Sequence, residues 1–202
     1  MSDLLSQWHV DPVLRCALRG GLAVLVLSAA AHKLRDFPSF VAAVDRYAIV
    51  GSGRSRVAAA VLVALEIGVG GSLVLGGASP LPAMAVAALF GVYTLAIAIN
   101  LWRGRHDVAC GCGGPVDGVP IGPSLVVRNL VLMAAALVAA VPATARTMTG
   151  LDAVTVLGLL VTCSIAYATV ETALANGAKL RHLTARREAV RLGPPFGRGE
   201  QA

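Results

Sequence analysis

The stretch Val57-Ala-Ala-Ala-Val-Leu-Val-Ala-Leu-Glu66-Ile-Gly-Val-Gly-Gly-Ser-Leu-Val-Leu75 carries one charge in nineteen residues. As a helix it is long enough to cross about 30 Å of hydrocarbon. That reading sets the solvent for the whole chain. Of 202 residues, 56% are hydrophobic and 14% charged, against roughly 25% charged in a soluble domain. The mean hydropathy is +0.75. The apolar content is Ala, Val and Leu rather than aromatic, which suits helices. The lone acid is the exception. A carboxylate in mid-span is costly and marks function by default. Glu66 is therefore expected to be neutral and hydrogen-bonded, or paired with Lys33 or Arg128 reaching into the bundle. A neutral Glu66 beside a redox pair could carry the protons that accompany electrons.

Four runs of the same kind flank it, at residues 13–31, 83–102, 124–141 and 151–173. The expected fold class is all-α, a polytopic membrane helix bundle of about five transmembrane helices. Residues 1–12 read as a short N-terminal segment and 13–175 as the transmembrane domain. Residues 176–202 read as a basic juxtamembrane helix against anionic headgroups, followed by a disordered tail. Between the first two spans, apolar positions 40, 41, 44, 47 and 48 fall near helical spacing, the pattern of a short amphipathic helix over 39–50 lying along the membrane. Pro38 limits the helix before it. Arg15 and Arg19, at the start of the first span, are read as snorkelling to the interface. The same stretch has the outline of a signal peptide with Ala29-Ala30-Ala31 as cleavage site, but its leader would be long and acid-bearing.

With five spans, alternate connections share a side. One end collects the 32–56 connection, the loop after span three and the basic tail. The other collects the N-terminus and the turns at 76–82 and 142–150. Fourteen of the seventeen Lys and Arg fall at the first end. The positive-inside rule then puts the N-terminus outside and the C-terminus in the cytoplasm. These flanking charges account for the net charge of +6. Basic and aromatic residues are not interleaved as on a nucleic-acid surface, so membrane lipids, not nucleic acid, are the expected surroundings.

The loop after span three, Arg103-Gly-Arg-His-Asp-Val-Ala-Cys110-Gly-Cys112-Gly-Gly-Pro115, is the one polar, thiol-bearing segment between apolar runs. A Cys-X-Cys disulfide closes a very small ring, stores strain and is labile. Gly111 lowers the backbone barrier to that ring, and Arg103, Arg105 and Arg128 favour a thiolate. Electron exchange with a partner thiol is the leading reading. The alternatives are two small residues in a tight turn, lipidated thiols, or half a metal site with His106 or Asp107, for which no second ligand pair exists. A cytoplasmic loop sits awkwardly with a disulfide, because the cytosol keeps thiols reduced. Cys16 and Cys163, in or near apolar spans, are read as packing residues.

In order along the chain stand Lys33-Leu-Arg-Asp36, Val44-Asp-Arg-Tyr47, Glu66, Asn100-Leu-Trp-Arg-Gly-Arg105, Cys110-Gly-Cys112-Gly-Gly114 and Val127-Arg-Asn129. This series resembles the methylamine-utilisation MauE family, related to DoxX-like redox-associated membrane proteins, over roughly residues 13–175. The resemblance implies a bacterial plasma-membrane protein with a four-helix DoxX-like core plus one helix. It implies a role in maturation or disulfide handling of a partner, of the methylamine dehydrogenase small-subunit type, with a thioredoxin-like or substrate protein as partner. It carries Cys110, Cys112 and Glu66 into a catalytic role, with Lys33, Arg35, Asp36, Asn100, Arg128 and Asn129 in support, and no metal. Two departures stand out. Gly113-Gly114 follows the cysteines where the family usually has Phe-Gly, and Tyr47-Ala-Ile-Val-Gly51 replaces Tyr-Arg-x-x-Pro. A non-redox scaffold or transport helper, and a small subunit of a quinone-linked oxidoreductase, are the alternative expectations. No haem signature, dinucleotide fingerprint or phosphate loop is present.

Overall fold

Asp11 opens the first helix, its carboxylate accepting from the Val13 N–H at 2.8 Å, and Pro12 takes the first turn, where no N–H is needed. From there the computed structural model, which describes residues 9–51, 53–105 and 121–191, is helical almost throughout. Its helices are α1 (Pro12–Arg35), α2 (Phe37–Arg46), α3 (Ser55–Leu75), α4 (Leu81–Trp102), α5 (Pro123–Ala140) and α6 (Gly150–Arg191). All except α2 contain a segment long and apolar enough to cross a membrane, five in total among the described residues. The chain is a polytopic membrane helix bundle, as its hydropathy requires.

Asp36 is the joint between α1 and α2. Its N–H still bonds back to the His32 carbonyl, while its carboxylate accepts from the Ser39 N–H at 3.2 Å and caps α2. Pro38 makes the break obligatory, because its ring would clash with the carbonyl four residues back. The amphipathic helix thus starts at Phe37, with Pro38 in its first turn, and ends at Arg46, where Ala48 adopts φ 48°. It is shorter at its far end than the 39–50 pattern indicates.

Four spans close into a ring in the order α1, α3, α4, α5, with α1 and α5 also in contact; α2 lies against α3. Lipid offers no hydrophobic drive between helices, so close packing of small residues carries the association. Ala23, Ala83, Ala87, Ala136 and Ala139 sit in the main core cluster beside Leu22, Val26, Leu73, Val86, Leu89 and Phe90. At Gly70 of α3 the α1 surface comes so near that a Cβ would lie 2.9 Å from Leu27.

α6 stands apart. It packs on α1, and none of its spanning segment is buried. The fifth span and the basic helix expected after it form one uninterrupted helix of 42 residues. Residues 192–202, with the expected disordered tail, lie outside the described residues.

Two readings of individual side chains change. Arg15 and Arg19 do not snorkel; both are buried. Arg15 donates to the carbonyls of Ala78 and Ala139, and Arg19 to those of Ser79 and Leu73. They supply donors to the carbonyl ends of α3 and α5, which a helix leaves unsatisfied. Cys16 and Cys163 are exposed on the protein surface rather than packed in the core.

The grouping of connections by parity holds. At one end Val10 pairs with Ala143, and Arg146 bonds both Asp11 and Asp152. At the other, Arg103 donates to the Ala48 carbonyl and Arg105 to the Arg46 carbonyl, tying the start of the cysteine loop to the end of α2.

Candidate functional site

Lys33 sits in the last turn of α1, on the face turned into the bundle, and is 5% exposed. Glu66, midway along α3, is 2% exposed. Their side chains form a salt bridge. Tyr93 of α4 donates its hydroxyl to the same carboxylate oxygen, Oε1, at 2.7 Å, and the Lys33 ammonium lies 3.4 Å from that hydroxyl. The ammonium also faces the rings of Phe40 and Tyr93, about 5 Å from each centroid, a placement favoured by the ring quadrupole. Four helices thus surround one buried ion pair. Such a pair persists in a low-dielectric interior only with supporting hydrogen bonds, and Tyr93 supplies one.

The support is incomplete. Among the described residues, Glu66 Oε2 is buried with no hydrogen-bond partner, and so is Asn129 Nδ2 on α5. The Asn129 oxygen is committed to the Arg128 guanidinium, whose Nε and Nη2 donate to it at 3.4 Å. That leaves the amide NH2 facing elsewhere. Both residues line a cavity of about 780 Å³ that reaches all six helices. Its walls are largely apolar, and Lys33, Tyr47, Tyr93 and Arg128 line it as well. Burial pushes the Tyr47 hydroxyl up to about 12, so this phenol stays neutral at physiological pH. A large, mainly apolar cavity with a few polar side chains in its wall has the make-up of a small-molecule site.

The other expected residues divide. Asn100, fully buried near the end of α4, donates to the Ala96 carbonyl and accepts from Arg105; it fixes the root of the cysteine loop. Arg35 is exposed, and Asp36 serves as the helix joint described above. Hydrogen bonds from Ser39 hold its carboxyl below the usual range. Cys110, Cys112, His106 and Asp107 lie outside the described residues. The loop that carries them leaves at Arg105 and returns at Ile121, which is buried against Ile97 and Leu125. Among the described residues no group of His, Cys, Asp and Glu could hold a metal ion. Tyr93 escaped the sequence reading, since a tyrosine in a span carries no mark of the face it occupies.

The family described as methylamine utilisation protein MauE matches residues 11–142. The chain belongs to the MauE family. Among relatives named methylamine utilization protein MauE, the one from Paracoccus denitrificans is 40% identical over 149 residues, covering 71% of this chain and 78% of its own length. That from Paracoccus versutus is 39% identical over 157 residues, covering 74% and 84%. That from Methylophilus methylotrophus is 33% identical over 159 residues, covering 78% and 84%. No solved structure matches the chain significantly. The MauE match contains the four-helix ring, α2, the ion pair and the cysteine loop, and stops short of α6.

Proposed function

We propose that this chain is a bacterial plasma-membrane protein of methylamine utilisation. It assists maturation of a partner protein by thiol–disulfide exchange through Cys110 and Cys112. The observation that carries this is the buried Lys33–Glu66–Tyr93 cluster, which runs from the last turn of α1, at the bundle end where both ends of the cysteine loop are anchored, to the middle of α3 and α4. An ion pair in hydrocarbon is too costly to be retained as filling. The family name supports methylamine utilisation.

In the exchange, a Cys thiolate attacks one sulfur of a partner disulfide and releases the other as thiolate. The second Cys then attacks the mixed disulfide. The pair ends oxidised and the partner reduced by two electrons; the reverse direction oxidises a partner dithiol. Two protons move with the electrons, and the Glu66 cluster supplies groups that can hold them. A thioredoxin-like protein is the expected exchange partner. The charge bias places this end in the cytoplasm.

Replacing Cys112 with Ser should trap a mixed disulfide at Cys110, seen as a reducible adduct on non-reducing gels. A double Cys110→Ser, Cys112→Ser variant that still supports maturation would reduce the protein to a scaffold. Labelling intact cells with a membrane-impermeant thiol reagent, with and without prior reduction, reports the side and the redox state together.

A further inference from the structure

We propose that the end of α6 beyond the membrane docks the protein that the cysteine loop serves, and that this partner presents an acidic surface to it. α1 and α6 start at the same end of the bundle, where Arg146 bonds both Asp11 and Asp152. They pack on one another, with Leu160 against Gly20. From that contact α1 runs to Arg35 and α6 to Arg191. The difference, roughly sixteen residues, carries α6 about 24 Å past the end of α1. The membrane gives the same figure. The spanning segment closes at Val170, and a headgroup layer of roughly 5–8 Å takes another four or five residues. On both measures α6 enters water near residue 175.

Residues 176–191 hold Lys179, Arg181, Arg186, Arg187 and Arg191 against one acid, Glu188. A helix laid against anionic headgroups does not fit a helix continuous with its span. Arg186, Arg187 and Arg191 stand roughly 16–24 Å beyond the headgroups, two to three times the ~8 Å over which physiological salt screens lipid charge. A fixed counter-charge for them has to come from the aqueous side. Leu180, Thr184, Arg187 and Arg191 recur at i, i+4, i+7 and i+11, on one face of the helix. Leu180 is 62% exposed, and Arg187 is exposed as well. An apolar position followed by two arginines one turn apart suits a groove with an apolar floor and a carboxylate rim. The segment has no Phe, Tyr or Trp to stack on bases, which disfavours a nucleic acid. The cysteine loop is rooted at this same end through Arg103 and Arg105, so a protein held on α6 stands at the bundle end that carries the thiols. The family match stops at residue 142 and does not include this segment. Equating the docked protein with the exchange partner rests on the proposed thiol chemistry; the acidic docking face does not.

The test uses the full chain in intact cells, with the photo-crosslinking residue p-benzoylphenylalanine in place of Leu180 and, separately, the Cys112→Ser trap. Irradiation should give one protein adduct whose crosslinked peptide is rich in Asp and Glu, and the same protein should be trapped at Cys110. Arg187→Glu with Arg191→Glu should cut the adduct about tenfold or more. Arg187→Lys with Arg191→Lys keeps the charge and should retain most of it. The amount of inserted protein and its melting temperature should not change in either pair, which separates docking from a structural role. Crosslinking only to lipid, to nucleic acid or to a second copy of this chain would overturn the proposal. So would a contact peptide without acidic residues, an adduct that survives charge reversal, no adduct at all, or a crosslinked protein different from the trapped one. An adduct that behaves as expected while Cys112→Ser traps nothing removes the thiol exchange and leaves the docking face. A trapped disulfide formed equally well after charge reversal does the opposite.

Discussion

Removing one half of the Lys33–Glu66 pair leaves the other as a bare charge among apolar helices. Lys33→Met or Glu66→Leu alone should cost about 3–5 kcal/mol, whereas the double replacement, which removes both charges, should recover most of that loss. Thermal melts of the four proteins in detergent give the cycle directly; an additive double variant would show the pair to be uncoupled. Tyr93→Phe deletes one hydrogen bond to a carboxylate and should cost about 2 kcal/mol, read from the same melts. Half of this cluster was legible in the sequence. Glu66 announced itself as an acid in a run of apolar residues, and Lys33 and Arg128 were its expected partners. Lys33 is the partner in the salt bridge. Tyr93 was not legible, because hydropathy records that a residue lies in a span and not which neighbour it faces. The orphaned Glu66 Oε2 and Asn129 Nδ2 were likewise hidden, since only packed helices define what a polar atom lacks.

At the level of helices, the ends do more than the middles. Hydropathy located all five spans, because length and apolarity suffice to find a crossing segment. It misjudged what α1 does at its start. An arginine near a span end is read as reaching for water, yet Arg19 turns inward and donates to Ser79 and Leu73. A snorkelling arginine could be shortened to methionine at little expense. Arg19→Met should instead destabilise the fold by about 1–3 kcal/mol by orphaning buried carbonyls, and an unchanged melting temperature would restore the snorkelling account. The same end of the bundle carries a pH-sensitive clamp. Hydrogen bonds from Arg146 first, and then the Val13 N–H, hold the Asp11 carboxyl below its ordinary value of 3.8. A depressed folded value means that this stabilisation is present above the unfolded value and is lost as pH falls through the folded one. Arg146→Gln should therefore melt below the unmodified protein at pH 7, by a gap that shrinks as the pH falls through the depressed Asp11 range and does not close there, because the same guanidinium holds the Asp152 carboxyl lower still. The gap at pH 7 should also narrow at 1 M salt, because Asp11 is exposed and its charge is screened.

For the whole molecule, the four-helix ring and the fifth span have different standing. Each ring helix is held by two others, whereas α6 rests on α1, where Leu160 reaches within 3.1 Å of the Cβ position at Gly20. The family match ends at residue 142, before α6 begins at Gly150. The sequence could be divided into a four-helix core plus one by resemblance alone; apolar pattern treats the five spans alike, and only packing separates them. A chain ending at Thr149 keeps the ring, the Lys33–Glu66–Tyr93 cluster, the cysteine loop and the contact between Arg146 and Asp11. It loses one lipid-facing helix with none of its spanning segment buried. It should insert, purify as a discrete species by size exclusion, and melt within about 5–10 °C of the full chain, the scale of a few kcal/mol for a protein of this length. The cavity is the part that should suffer. Leu159, Cys163, Ser164, Tyr167 and Ala168 of α6 form one of its walls, so shortening the chain opens it to lipid while leaving the ion pair in place. A truncated protein that aggregates or is degraded on insertion would place α6 within the folding core, against the one-sided packing that the structure shows.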